Sequence, residues 1–241
     1  MAKYKVLSTR KLDSSLVEQA KKEDIEITEQ EAIKVTTILS KEKWREIFQV
    51  IEDKKEFVVF TSSNAVFSLQ KYLNDYINPL PIDWKLFSLS GKTKESLENS
   101  KMFGEIVDTA DNSNQLAQKI VNRKLNEVVF FCGNKRRDEL PSILRQAGIE
   151  VHEIVVYDTI QTPAIAENDI DAILFFSPSA VQSFFSINQL KATVVCFAVG
   201  QTTAKTIADR TNNRIVISKT SSQKAMLLEV INYFKSMVGL S

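Results

Sequence analysis

Hydroxyl, amide and cationic side chains stand together after almost every apolar run of this sequence. Examples are Thr9-Arg10-Lys11, Thr61-Ser62-Ser63-Asn64, Gly91-Lys92-Thr93-Lys94, Gly133-Asn134-Lys135-Arg136-Arg137, Ser177-Pro178-Ser179, Gly200-Gln201-Thr202-Thr203 and Lys219-Thr220-Ser221-Ser222. Beside the free N–H groups and dipole of a following helix, such side chains bind carboxylates or phosphates. Any one of these hydroxyls is sufficiently explained as a helix N-cap, and any one cation as ordinary surface. Their return at the same place after successive strands points to a large polyanionic ligand held by two such rims. Tyr157, in Val156-Tyr157-Asp158-Thr159, adds a phenol at a strand end.

Other chemistries find little support. The net charge of +1 gives no global attraction to nucleic acid or to an anionic membrane, so an anion preference must be local. No apolar run reaches membrane-span length and the N-terminus lacks a signal-peptide core, so a cytoplasmic protein is expected. With two cysteines in apolar runs, Cys132 and Cys196, and one histidine, His152, no metal site is expected and a disulfide is disfavoured. His152, next to Glu153 on a strand, reads as a surface or sheet-edge residue. Gly91-Lys92-Thr93 resembles part of a phosphate loop, but Leu86 stands where that motif needs glycine. A dinucleotide fingerprint is also missing, with only 6 glycines in 241 residues.

The elements that would position these turns can be read from periodicity. Val128–Phe131 is continuously apolar, as a parallel strand covered on both faces should be. Leu140, Ile143, Leu144 and Ala147 then fall at helical spacing before Gly148, and Val151–Val156 forms the next strand. The same pattern opens the chain: strand Tyr4–Ser8, helix Leu12–Lys22, strand Ile25–Thr28. Further along, Phe57–Phe60 with helix Ala65–Leu73 matches Ile173–Phe176 with helix Ala180–Phe185. Lys85–Ser90 matches Val194–Val199, and Ile106-Val107 with its helix matches Ile215–Ile217 with helix Ala225–Phe234. The chain is therefore two copies of one pattern.

Alternating strands and helices imply parallel sheets with right-handed crossovers, arranged as two flavodoxin-like domains of about five strands each. A sequential split would fall near Lys124. The extended connectors Glu31–Leu39 and Thr159–Ile165 lie inside the copies and not between them, which argues against it.

Several segments together resemble the uroporphyrinogen-III synthase family. These are Thr61-Ser62-Ser63-Asn64-Ala65-Val66; Gly133, Arg137-Asp138, Leu140, Gly148, Val151 and Val156-Tyr157-Asp158-Thr159; Ser177–Val181; and Ala198–Ala204. The chain departs from the family pattern at Lys94, at Phe176 before Ser177-Pro178-Ser179, and at Lys11. The resemblance implies two α/β domains joined by a two-stranded linker, one discontinuous (1–36 and 164–241) and one inserted (37–163). It also implies a monomeric lyase that needs no cofactor and acts on hydroxymethylbilane, an acid-rich linear tetrapyrrole that the preceding bilane-forming enzyme could hand over transiently. Loss of the terminal hydroxyl gives an azafulvene. The last ring then attacks through its substituted carbon to form a spiro intermediate, and reopening and reclosure invert that ring.

In this family reading Tyr157 assists hydroxyl departure or packs at the hinge. Arg10, Ser62, Asn64, Gly91, Thr93, Gly133, Arg137, Ser177, Ser179, Gly200 and Thr203 bind substrate. A two-lobed, non-enzymatic binding protein for an anionic metabolite remains the competing reading of the same donors.

Overall fold

The computed structural model describes residues 3–38, 40–53, 55–76, 82–167 and 169–238. In chain order the elements are β1 (Tyr4–Ser8), α1 (Ser14–Lys22), β2 (Ile25–Glu29), β3 (Ile33–Thr37), α2 (Lys41–Glu52), β4 (Phe57–Phe60), α3 (Ser63–Tyr76), β5 (Trp84–Leu89), α4 (Lys92–Ser100) and β6 (Gly104–Ala110). They continue with α5 (Ser113–Asn122), β7 (Glu127–Gly133), α6 (Glu139–Gln146), β8 (Glu150–Gln161), β9 (Ala172–Phe175), α7 (Pro178–Phe184), β10 (Val195–Ala198), α8 (Gln201–Ala208), β11 (Ile215–Ile217) and α9 (Gln223–Val238). The chain divides into two compact units, Met1–Lys34 with Ile160–Ser241, and Val35–Thr159.

Each unit is built on one sheet. The first has the order β11-β10-β9-β1-β2, and the second β3-β8-β7-β4-β5-β6. The neighbouring pairs β1–β2, β1–β9, β9–β10 and β10–β11 are parallel, as are β4–β5, β4–β7, β5–β6 and β7–β8. With the edge strand β3 left out of the count and strands numbered by their place in a copy, both sheets run second, first, third, fourth, fifth, which is the flavodoxin order. The first sheet takes its opening pair from one copy and its last three strands from the other. The second sheet makes the complementary choice.

The apolar strands predicted from the sequence are present because both faces of each sheet are covered. Val58, Phe60, Val129 and Phe131 pack on one face of the second sheet with Val66, Leu69 and Tyr72 of α3. Val59, Val128, Phe130 and Cys132 pack on the other with Leu116 and Ile120 of α5 and Leu140 and Leu144 of α6. The first sheet is covered in the same way, with Val230, Ile231 and Phe234 of α9 on one face and Val181, Phe184 and Ile207 of α7 and α8 on the other.

The connector Glu31–Leu39 holds the strand β3, placed beside β8 as the two-stranded linker of the family reading implies, and with it the second sheet has six strands and not about five; Leu39 itself lies outside the described residues. One element differs from its sequence reading. Strand β8 does not stop at Val156 but continues to Gln161. Tyr157 therefore sits within a strand and not after one.

Cys132 and Cys196 are both buried and unpaired by any disulfide. Burial pushes their thiols up, to about 11 and about 12 respectively. Both should stay unmodified by an alkylating reagent at mildly alkaline pH until denaturant is added, a result that mass spectrometry of the native and unfolded protein would check.

Candidate functional site

In a sheet with this strand order, connections leave the first and third strands toward opposite faces, and the crevice beyond their carboxyl ends is where ligands bind. In the second unit those strands are β7 and β4. The loops that leave them are Gly133–Asp138 and Thr61–Asn64, and these hold four of the expected site residues.

Tyr157 joins the two loops. Its Oη donates to Ser62 Oγ at 3.1 Å, and Ser62 Oγ also accepts the Asn64 amide at 3.2 Å, at the start of α3. The phenyl ring lies against the Gly133 backbone, so that a Cβ at residue 133 would stand 2.3 Å from Cζ and 2.8 Å from Oη. Only glycine leaves room for the ring there.

A β-bulge brings the ring to that position. Strands β7 and β8 pair residue for residue from Glu127 with Glu150 to Cys132 with Val155, and then Gly133 pairs with Tyr157, passing over Val156. Val155 packs on the side of α5 and α6, whereas Ile154, Val156 and Tyr157 all pack on the side of α3. Strict alternation would have sent Tyr157 to the side of Val155; the extra residue redirects it toward Ser62. Burial is the largest influence on the phenol and raises its pKa, with the hydrogen bond to Ser62 opposing more weakly. Tyr157 keeps its proton throughout the neutral range.

The basic turn is fastened to β8. Asn134 N–H donates to the Tyr157 carbonyl at 3.1 Å, Thr159 N–H donates to Asn134 Oδ1 at 2.8 Å, and Arg136 N–H closes the turn on the Gly133 carbonyl at 3.1 Å. The cations of this turn are not equivalent. The Arg136 guanidinium is ion-paired with Glu153 and lies 3.3 Å from Asp138. Arg137 is exposed and has no ion-pair partner among the described residues, so its charge is available. Lys94, expected as a free rim cation, is 3.5 Å from Glu98 on its own helix.

Gly91 and Thr93 open α4 on the next loop. Gly91 has φ 71° and offers no side-chain cap, while Thr93 is buried. The first-turn amides of α4 are thereby left without a capping side chain, as are those of α8 behind Gly200. No hydrogen bond links this loop to Tyr157 among the described residues.

In the first unit the equivalent crevice lies at the ends of β1 and β9. Thr9 is not free for a ligand: it is buried, and its hydroxyl donates to the Leu174 carbonyl at 2.7 Å. Arg10 is exposed, its guanidinium carbon 5.3 Å from the Phe176 ring centroid, so Phe176 supports the cation. Ser177 caps α7, its Oγ accepting Ala180 N–H at 3.1 Å, and Ser179 is partly exposed in the first turn. Thr203 is buried in α8.

Sequence reasoning did not single out Asn134 or Glu153, because each acts through a tertiary contact that no local motif announces. Elsewhere in the second unit, ligand atoms of Glu127, Glu150 and His152 lie within 4.8 Å of one another. Glu127 Oε2 already receives Lys55 Nζ at 2.6 Å and His152 Nε2 at 2.8 Å, with Lys55 the larger cause of its lowered pKa. This group, and the cavity of about 260 Å³ lined by Lys55, Phe57 and Glu127, lie at the strand starts, at the far end of the sheet from Tyr157.

No described helix is long and apolar enough to cross a membrane. Residues 14–227 match the family model described as uroporphyrinogen-III synthase HemD. No curated protein sequence matches the chain. Among solved structures it is similar to a uroporphyrinogen-III synthetase from Helicobacter pylori, at 15% identity over 95% of this chain and 99% of that one, with a TM-score of 0.70. It is also similar to a mutant uroporphyrinogen III synthase from Thermus thermophilus, at 13% identity over 99% and 100% of the two chains, with a TM-score of 0.67. At such identities the structural likeness speaks for the fold.

Proposed function

The chain belongs to the uroporphyrinogen-III synthase family, and from that premise we propose how its own residues serve the family's reaction. The enzyme is a lyase that closes hydroxymethylbilane to uroporphyrinogen III with inversion of the last pyrrole ring. Pyrrole lone pairs supply the electronic push. The protein's contribution is to hold a flexible polycarboxylate in the geometry that leads to the spiro intermediate and not to direct closure, which is positioning.

The observation that carries this reading is the convergence of Tyr157, Ser62, Asn64 and Gly133 at the switch point of the second sheet. The Ser62 hydroxyl can donate to Tyr157 Oη in turn, which frees the phenol proton to turn from Ser62 to the departing hydroxyl. The raised pKa of Tyr157 makes it a donor that does not ionise at neutral pH, so it stabilises the leaving oxygen through a shared proton. Arg137 pairs with a substrate carboxylate, as does Arg10 in the first unit. Gly91 and Gly200 expose the starts of α4 and α8 to further carboxylates, and the buried Thr93 and Thr203 seat those starts. Ser177 and Ser179 present the start of α7. A cytoplasmic location and a transient hand-over from the bilane-forming enzyme fit a labile substrate and complete the proposal.

Incubating the enzyme with freshly made hydroxymethylbilane and separating the oxidised products is the direct test. Type III isomer should dominate, and binding without enrichment of type III would overturn the reading. Arg137→Gln should raise KM about 10-fold, the scale of one charge-assisted hydrogen bond, with kcat little changed. Because Arg137 is exposed, the difference from wild type should shrink as salt rises. An unchanged KM at low salt would remove Arg137 from the carboxylate-binding set.

A further inference from the structure

Glu153 lies on β8 four residues ahead of Tyr157, and nothing in the reaction calls for it. Its side chain is only 14% exposed, yet its one carboxylate serves two cations: Arg136 from the basic turn, and Arg145 of α6 at 2.5 Å. Asp138 is the only other acid that pairs with Arg136 among the described residues, and its side chain is 68% exposed at 3.3 Å. Glu153 is the stronger anchor, since a partly buried charge pair is screened far less than an exposed one.

The position of that anchor gives it a role. The turn Gly133–Arg136 is tied to β8 on both sides of Tyr157: beyond it by Asn134 to the Thr159 amide, and before it by Arg136 to Glu153. Gly133 is the surface against which the Tyr157 ring rests, with no slack for a single added carbon. Movement of the turn therefore moves the wall that fixes the phenol. We propose that Glu153 is a positioning residue for the reaction: by clamping Arg136 it holds the basic turn, and through Gly133 it sets the place of the Tyr157 hydroxyl. The same clamp keeps Arg136 from pairing with substrate carboxylates and leaves them to the exposed Lys135 and Arg137. The proposal rests on the catalytic reading of Tyr157, and its test separates the two.

Glu153→Gln keeps shape and one acceptor but removes the charge that both guanidiniums share. It should lower kcat by about 10- to 100-fold, the scale of a misplacement near 1 Å, and Glu153→Asp should recover part of the loss. Placed in a Tyr157→Phe background, Glu153→Gln should cost less than about 2-fold more, because residues acting as one unit do not add. With tyrosines labelled on the ring, the Tyr157 resonance, identified by its loss in Tyr157→Phe, should shift in Glu153→Gln. An unchanged kcat, an equal loss in both backgrounds, or an unmoved Tyr157 resonance would overturn the proposal. If Tyr157→Phe alone leaves kcat unchanged, the catalytic reading of Tyr157 falls, while the resonance still decides whether Glu153 holds the ring. Should Glu153→Gln not yield folded protein, Arg136→Gln cuts the same tether from the turn side and carries the same expectations.

Discussion

Tyr157→Phe should lower kcat about 100-fold, the lower end of what a positioned acid or donor contributes, because a phenol is too weak an acid to transfer its proton fully. The substitution removes one oxygen and keeps the ring, so packing against Ile154, Val156 and the α3 side is retained. Ser62 Oγ loses the phenol as donor but still accepts the Asn64 amide, leaving no buried group without a partner. The stability cost should be about 1 kcal/mol, that of one ordinary hydrogen bond. Circular dichroism and thermal unfolding should therefore be close to wild type while turnover collapses.

The pH dependence of the wild type gives a second readout of the same residue. Burial raises the phenol pKa, so the hydroxyl should remain a donor up to and beyond its ordinary value of ~10. A raised pKa in the folded state also contributes stability that is present below the unfolded value and is lost as pH rises through the folded one. Any alkaline fall in kcat that begins near neutrality belongs to another group. A mutant kcat within 2-fold of wild type would reduce Tyr157 to a packing residue.

Much of this architecture is legible in the sequence, for a physical reason. Parallel strands covered on both faces appear as unbroken apolar runs such as Phe57–Phe60, Val128–Phe131 and Ile173–Phe176. The repeat of those runs with the same kinds of turn also reveals the duplication. What the sequence hides is which copy supplies each strand to which sheet, since strand pairing is decided by tertiary packing. Strand β3 reads as an extended connector because Ile33–Thr37 is half-buried at its two ends and exposed between them, Val35 included, so no unbroken apolar run marks it. The end of β8 is obscured by Asp158 and Thr159, whose polarity suits a turn as well as a strand end.

The site divides along the same line. Gly133 and Tyr157 are both conspicuous as sequence features, but their contact depends on a bulge at Val156, which one extra residue in a run of Val and Ile does not disclose. Lys135, Arg136 and Arg137 are indistinguishable as three adjacent cations. Only the fold shows that Glu153 occupies Arg136 and leaves Arg137 exposed. Thr9, a hydroxyl at the expected place, turns out to be consumed by the Leu174 carbonyl.

Gly133→Ala is the more disruptive change, and it tests the geometry without touching any functional group. The added methyl would lie 2.3 Å from Tyr157 Cζ and 2.4 Å from Cε2, closer than two carbons can stand. The strand cannot yield easily, because Gly133 is paired with β8 and the next residue's amide is bonded to the Tyr157 carbonyl at 3.1 Å. The ring must therefore swing away, which breaks the hydrogen bond to Ser62 and carries the phenol from the place it needs during hydroxyl departure. Overpacking of this kind costs about 1–3 kcal/mol of stability. Activity should fall at least as far as in Tyr157→Phe, since the hydroxyl is misplaced and the displaced ring obstructs the crevice as well. Adding Gly133→Ala to Tyr157→Ala discriminates between causes: with the ring already gone, the methyl should cost little further stability beyond that of Tyr157→Ala alone, while activity stays low. If Gly133→Ala alone keeps wild-type turnover, the phenol does not act from the position against Gly133, and the site must be rebuilt around the loop of Ser62 and Asn64 without it.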